Sequence, residues 1–504
     1  MKWMRVLVVA SCFGLLACSA SNPLVTEKKL SYHSGYQEGS TLAKYYEQLR
    51  PETVKDNLTG FHSLNNGDDA LLARIALITS AQHSLDLQYY LFGDDETSKI
   101  ITWRLYEAAQ RGVKVRLLLD DMQRRDDQVM ALLNDHPNIE IRLFNPYTNR
   151  FFRGLSFLTD FSRLNHRMHN KSMTADGVAA IVGGRNIGNE YFSFSTQVEF
   201  GDFDVLLFGP AVVETATQFD LYWNSDQTQS VSALVSLSDY ETQYALEDLV
   251  DVNALEAPFR DGEYDISQLE LFEHLKHGTL KLYWGEAVLW YDLPDKVETR
   301  DSQVAEQLAE RLNNVTDSIL IISPYFVPTE AGTLGLKRLA ESGVKVTIVT
   351  NSLASNDVFA VHGWYAKYRE ELLASGITLW EIKASAEIKR QWSLIGSQRA
   401  SLHAKVIVID DADFIVGSMN WDPRSAYINT EMAVHITHPE YVKEATVQLN
   451  SALPKDAYYV EIREGNLHWT DLGNGKVYDS EPESSIWRSI GAWLSGVLPI
   501  EGML

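Results

Sequence analysis

Short apolar runs bounded by turn residues recur along the chain in a repeated order. Residues 84–91 and 318–326 are compact, β-rich and apolar, the pattern of strands buried on both faces. About 20 residues beyond each, 111–119 and 342–349 repeat the pattern. Between them 100–110 and 333–341 carry helical periodicity, with Gly112 and Gly343 where a helix would close. Strand, helix and parallel strand are therefore predicted twice. Paired features keep a nearly constant separation throughout, which points to duplication. The predicted fold is α/β, with two duplicated lobes over residues 45–250 and 251–465, each a mixed β-sheet flanked by helices. The acidic, polar stretch 237–264 is the expected connection. In 466–504, Ile486, Ile490, Trp493, Leu494 and Val497 fall at helical spacing, so this amphipathic segment either packs on its own lobe or lies in a bilayer interface.

The first residues depart from this pattern. Lys2 and Arg5 precede an apolar run over 6–16, which ends in Leu15-Leu16-Ala17-Cys18 and gives way to polar Ser19 and Ser21. The run is too short for a transmembrane helix, which needs about 20 apolar residues. The run reads as a secretory signal, and Leu15-Leu16-Ala17-Cys18 resembles a bacterial lipobox, which implies a signal of the lipoprotein type over 1–17, Cys18 as the acylated anchor, and 18–44 as a tether. Ser19 in place of Asp suggests sorting to the outer membrane. The chain is thus expected in the bacterial cell envelope, facing the periplasm. Cys12 and Cys18 are the only cysteines, so loss of the signal leaves no thiol pair for a disulfide.

The 504 residues, 45% of them hydrophobic, are enough for two sizeable cores. The net charge of -24 weighs against a general nucleic-acid grip, which needs a basic stripe. It leaves room for a local positive pocket.

Such a pocket is suggested by two copies of His-x-Lys-x-x-x-x-Asp: His169, Lys171 and Asp176, then His403, Lys405 and Asp410. On a strand, residues two apart face the same side, so each His projects with its Lys. Apolar runs resume after Asp176-Gly177 and Asp410-Asp411, which marks tight turns and gives the two Asp an orienting or structural role. Fifteen and seventeen residues after each His come Gly184 and Asn186, then Ser418 and Asn420, in corners suited to cradle a phosphate. Glu431, twenty-eight residues after His403, is expected to orient the imidazole of His403, and Asp202 is its counterpart in the first lobe. These parts suit phosphodiester exchange: one imidazole attacks phosphorus while the other protonates the leaving alcohol. With Glu431 beside His403 favouring its charged form, His169 is assigned as nucleophile and His403 as acid and base. The acidic pairs Asp94-Asp95, Asp120-Asp121 and Asp126-Asp127 read as solvated strand ends and loops.

The doubled motif with its Gly-Ser-x-Asn-like corners resembles the phospholipase D superfamily, and 167–172, 182–188 and 420–425 resemble its bacterial cardiolipin synthase branch. The resemblance implies two phospholipase D-like lobes related by a pseudo-two-fold axis, with the active site between them. It also implies transfer of a phosphatidyl group to the headgroup of phosphatidylglycerol through a phosphohistidine, with neither metal nor cofactor. Phosphatidylethanolamine is a further candidate lipid, no nucleic acid is expected, and any protein partner is left open. Phospholipid hydrolysis and a nuclease of the same scaffold are the alternatives, because acceptor choice depends on pocket shape. Gly184 stands where most of the superfamily carries a hydroxyl.

Overall fold

The computed structural model describes residues 28–194, 198–235, 266–386 and 399–504. The expected signal, Cys18 and the connection 237–264 lie outside these residues. In the first lobe the strands are Thr59–Leu64 (β1), Ser84–Tyr89 (β2), Lys114–Asp120 (β3), Ile139–Phe144 (β4), Ser172–Ala175 (β5), Ala179–Gly183 (β6), Val198–Gly201 (β7), Asp204–Phe208 (β8) and Thr228–Ser230 (β9). In the second they are Tyr283–Tyr291 (β10), Ser318–Ile322 (β11), Lys345–Asn351 (β12), Thr378–Ile382 (β13), Arg399–Leu402 (β14), Val406–Ile409 (β15), Asp413–Gly417 (β16), Met432–Thr437 (β17) and Ala457–Arg463 (β18), followed by Asn466–Asp471 (β19) and Lys476–Tyr478 (β20).

Neighbouring strands form one continuous sheet of 18 strands. Its spatial order is β9-β4-β3-β2-β5-β6-β8-β1 in the first lobe, then β10-β17-β16-β15-β11-β12-β13-β18-β19-β20 in the second. Read outward from the β1–β10 junction, the two halves place equivalent strands in the same sequence, which is the predicted duplication seen as pseudo-two-fold symmetry. β2 runs parallel to β3 and β4, and β11 parallel to β12 and β13. The intervening helices, Glu96–Gln110 and Thr329–Glu341, close near Gly112 and Gly343, both at positive φ where a Cβ would be strained.

An apolar cluster crosses between the lobes, with Val182, Val205 and Leu207 from the first packed with Val406, Phe414 and Val434 from the second. At about 1.5–3 kcal/mol for each large side chain removed from water, this shared layer holds the lobes as one body.

Two boundaries differ from expectation. The stretch expected as a tether is packed from residue 28 onward: His33 donates from its backbone to Asp220 at 2.9 Å, and helix Thr41–Leu49 buries Leu42, Ala43 and Tyr46 in the first lobe. At the other end β19 and β20 extend the second lobe's sheet beyond 465, and only then comes helix Ile486–Val497.

Candidate active site

The parallel strands of both lobes point their C-terminal ends at one place. Tyr90, just after β2, meets the His169 ring edge-on at 4.9 Å between centres. Asp120, the last residue of β3, accepts from the Met168 backbone N–H at 2.9 Å. In the second lobe Asn351, the last residue of β12, brackets Leu402, accepting from its N–H at 2.8 Å and donating to its carbonyl at 2.9 Å. The residue before each histidine is thus fixed by an equivalent strand end.

Each histidine lies where the lobes exchange backbone hydrogen bonds. β14, leading into His403, pairs in parallel with β7, leading into Asp202. The His403 N–H donates to the Gly201 carbonyl at 2.8 Å, and the His169 N–H donates to the Thr430 carbonyl at 2.9 Å. The side chains follow this exchange. His169 Nδ1 donates to Glu431 at 2.9 Å, and His403 Nδ1 donates to Asp202 at 2.5 Å. The expected pairing of Glu431 with His403 is therefore corrected: each carboxylate orients the imidazole of the other lobe. In a chain, residues near in sequence need not be near in space, and the parallel inter-lobe pairing sets each acid against the opposite histidine. The assignment of roles to His169 and His403 loses the support drawn from Glu431.

The Gly-rich corners serve these carboxylates. A Cβ at Gly184 would overlap an Asp202 carboxylate oxygen, so glycine lets Asp202 approach. Ser418, its counterpart, donates its hydroxyl to Glu431 and accepts from the Met432 N–H. Asn186 spends its amide within its own lobe, accepting from the Leu91 N–H at 3.1 Å and donating to the Tyr191 hydroxyl at 2.9 Å. The expected phosphate cradle is thus corrected for Gly184, Asn186 and Ser418, which support the site from beneath. Asn420 is different: its side-chain oxygen is buried without a protein partner among the described residues.

Asp176 and Asp410 lie at the far ends of β5 and β15, in left-handed turn conformations with φ of 53° and 51°. Asp176 accepts from the backbone N–H groups of Gln82, His83 and Ser84. Asp410 accepts from those of Thr316, Asp317 and Ser318. The same motif position therefore clamps the start of β2 in one lobe and β11 in the other. Of the two roles expected for these residues, the structure supports the structural one, and their grouping with the catalytic residues is corrected.

Both histidines are buried, each 7% exposed as a residue. Burial draws the His169 pKa down to about 4 against the opposing pull of Glu431, and burial together with Lys405 lowers that of His403. Burial alone would raise Asp202 and Glu431, but the charges and hydrogen bonds of His403 and His169 respectively hold both below the usual carboxylate range. Lys405 is brought down by burial to about 8, and burial with the like charge of Lys405 pulls Lys171 well below an ordinary lysine. Lys171 Nζ donates to the His169 carbonyl at 2.5 Å. Lys405 Nζ lies 2.9 and 3.1 Å from the two ring nitrogens of His403. The site sets two lysines against two carboxylates, and a phosphodiester anion entering among them favours the protonated form of a neighbouring imidazole.

Sequence reasoning missed Tyr90, Tyr191 and Phe200, whose rings flank the two imidazoles. It also placed Asp120 and Asp121 on a solvated strand end, whereas both are buried. The reading of the other acidic pairs fits better: Asp95 and Asp126 cap helices, each accepting from backbone N–H groups of the first turn.

The duplicated lobes and the paired imidazole–carboxylate site define a phospholipase D-like enzyme class, and the chain belongs to the family described as "Cardiolipin synthase, PLD-like domain", whose model matches residues 75–219 and 308–453. Among its relatives, cardiolipin synthase C of Escherichia coli (strain K12) is 39% identical over 88% of this chain and 96% of its own length. Major cardiolipin synthase ClsA of Bacillus subtilis (strain 168) is 27% identical over 74% of this chain and 64% of its own. A crystal structure of phosphatidylserine synthase from Haemophilus influenzae shares the fold, with a TM-score of 0.58, 12% identity, and coverage of 92% of this chain and all of that one.

Proposed function

We propose that the protein is a phosphatidyltransferase that makes cardiolipin by moving a phosphatidyl group to phosphatidylglycerol through a phosphohistidine. The observation that carries this reading is the crossed pair of imidazole–carboxylate contacts around Lys171 and Lys405, in a chain so similar to cardiolipin synthase C. Each carboxylate fixes Nδ1–H, which leaves Nε2 as the reactive nitrogen. His169, whose pKa near 4 keeps it neutral, attacks phosphorus. His403, whose protonated form the bound substrate anion favours, gives its proton to the leaving alcohol. In the second half His403 takes a proton from the incoming glycerol hydroxyl, and His169 leaves. Lys171 and Lys405 stabilise the charge that builds on the phosphoryl oxygens.

Incubation with labelled phosphatidylglycerol, with and without phosphatidylethanolamine, tests the reading. Cardiolipin is the expected product. Phosphatidic acid alone would make the enzyme a hydrolase, and nicked plasmid DNA without lipid turnover would replace the reading with a nuclease. The label trapped on the enzyme is expected on His169 and to be released by acid. Label retained in His169→Ala would reverse the two roles.

The proposal includes a lipid anchor at Cys18 and a place in the cell envelope, facing the periplasm. Labelled palmitate incorporated into the wild type and absent from Cys18→Ala is the expected result, and fractionation of the envelope distinguishes inner from outer membrane. None of the described helices is long and apolar enough to cross a membrane.

A further inference from the structure

Helix Ile486–Val497 packs through its small residues. Gly363 lies so close that a Cβ there would overlap the Ala492 carbonyl, and Trp364 Nε1 donates to the Ser495 carbonyl at 3.1 Å. The opposite face presents Ile486, Trp487, Ile490, Trp493, Leu494 and Val497 to solvent, with Trp487 79% exposed. A helix that docks by Ala, Ser and Gly and leaves two tryptophans outside reverses the usual order of burial. A second exposed apolar stretch, Phe151, Phe152, Leu155 and Leu158, surrounds helix Arg153–Thr159 of the first lobe, with Phe151 91% exposed.

Both stretches are placed at the end of the sheet where the active site lies. The first-lobe stretch follows the C-terminal end of β4 and leads within a few residues to Asn165, Met168 and His169. The C-terminal helix covers the N-terminal half of helix Phe359–Ala374, which begins just beyond the end of β12. Arg488 donates to the Leu353 carbonyl at 2.6 Å and also to the Asn356 carbonyl, while the next residue, Asp357, accepts from the Tyr325 hydroxyl and acts on Lys405. The segments that follow the two stretches are tied to each other as well. Arg424 donates to Asn165 Oδ1 at 2.7 Å with one arm, and to the Met503 carbonyl at 2.9 Å with another.

We infer that these two apolar stretches, one from each lobe, are the lips of the active site and dip together into the surface of a phospholipid bilayer. The inference rests on the lipid-substrate reading. A protein partner broad enough to cover both lips would close the route to the imidazoles between them, whereas a bilayer covers both and delivers the substrate through the same face. Tryptophan beside aliphatic side chains is the composition favoured at the headgroup level. Charge agrees: in a chain of net charge -24, neither 150–159 nor 485–500 contains an acidic residue, and each carries arginine. Within these two stretches themselves no carboxylate opposes an anionic bilayer.

The test uses the chain from residue 18 onward carrying Cys18→Ser, so that neither the apolar signal nor acylation supplies the attachment. Vesicles of phosphatidylglycerol and phosphatidylethanolamine are compared with short-chain phosphatidylglycerol dispersed as monomers. Trp487→Glu/Trp493→Glu and Phe152→Glu/Leu158→Glu are each expected to weaken vesicle binding at least tenfold and to lower turnover on vesicles in proportion, with turnover of the monomeric lipid within twofold of the parent. Bromine-labelled acyl chains are expected to quench tryptophan fluorescence in the parent, and much less in Trp487→Phe/Trp493→Phe, which leaves the fold undisturbed. Unchanged vesicle binding in the Glu pairs, undiminished quenching, or equal loss on both forms of substrate would overturn the inference. So would a change in oligomeric mass, which would assign the faces to a second copy. If the parent binds vesicles through these lips yet turns over no lipid of either form, the lips stand and the proposed reaction fails.

Discussion

Glu431 of the second lobe accepts the Nδ1–H of His169 of the first at 2.9 Å, and this contact makes neither lobe's histidine complete alone. Asp202 and His403 form the reciprocal pair. A motif that looks like two independent copies is, at its centre, one site built by exchange.

Removing the charge of either orienting group tests this exchange. Glu431→Gln and Asp202→Asn are expected to lower kcat by about 10²–10⁴-fold with little change in KM, since each presents the wrong tautomer or orientation without emptying the pocket. Steady-state kinetics on phosphatidylglycerol checks it. A loss confined to KM would mean that the carboxylates bind substrate instead.

Gly184 and Ser418 occupy equivalent positions but are not interchangeable. Gly184→Ser drives a Cβ into the Asp202 carboxylate, so it is expected to displace the support of His403, with a stability loss of about 1–3 kcal/mol and a fall in turnover. Ser418→Gly removes only a hydroxyl donor to Glu431 and is expected to be milder in kcat. Denaturant melts beside kinetics separate the two effects.

Asp176 is expected to matter for folding more than for chemistry. Asp176→Ala strips three backbone N–H groups of their acceptor at the start of β2 and is expected to cost about 1–3 kcal/mol for each group left buried and unpaired. Turnover per folded molecule should stay near that of the parent. A variant of full stability with abolished turnover would return Asp176 to the chemistry.

Activity is expected to fall on the alkaline side in two steps, the first where His403, held below the ordinary histidine value, loses the proton it gives to the leaving alcohol, and the second near pH 8. Lys405, lowered from the ordinary lysine value by burial, is charged below about 8 and neutral above it, so transition-state stabilisation weakens as the pH rises through that value. His169, near 4, stays neutral across the working range and sets only a distant acid limb. A pH profile of kcat/KM checks this, and Lys405→Arg is expected to run slower while moving only the second step upward, because arginine keeps its charge.

The sequence by itself determined the duplication, the α/β class and the two His-Lys pairs, because strand periodicity and motif spacing are local quantities. It also foresaw the tight turns at Asp176 and Asp410, whose positive φ values follow from the turn chemistry of Asp and Gly. Only the tertiary structure decided which carboxylate serves which imidazole. That depends on the parallel pairing of β7 with β14 and of Met168 with Thr430, contacts between residues some two hundred or more positions apart that no local pattern encodes. It also decided that Asp120 is buried and that the aromatic face of the last helix is left outside, since burial is a property of the assembled lobes and not of a segment.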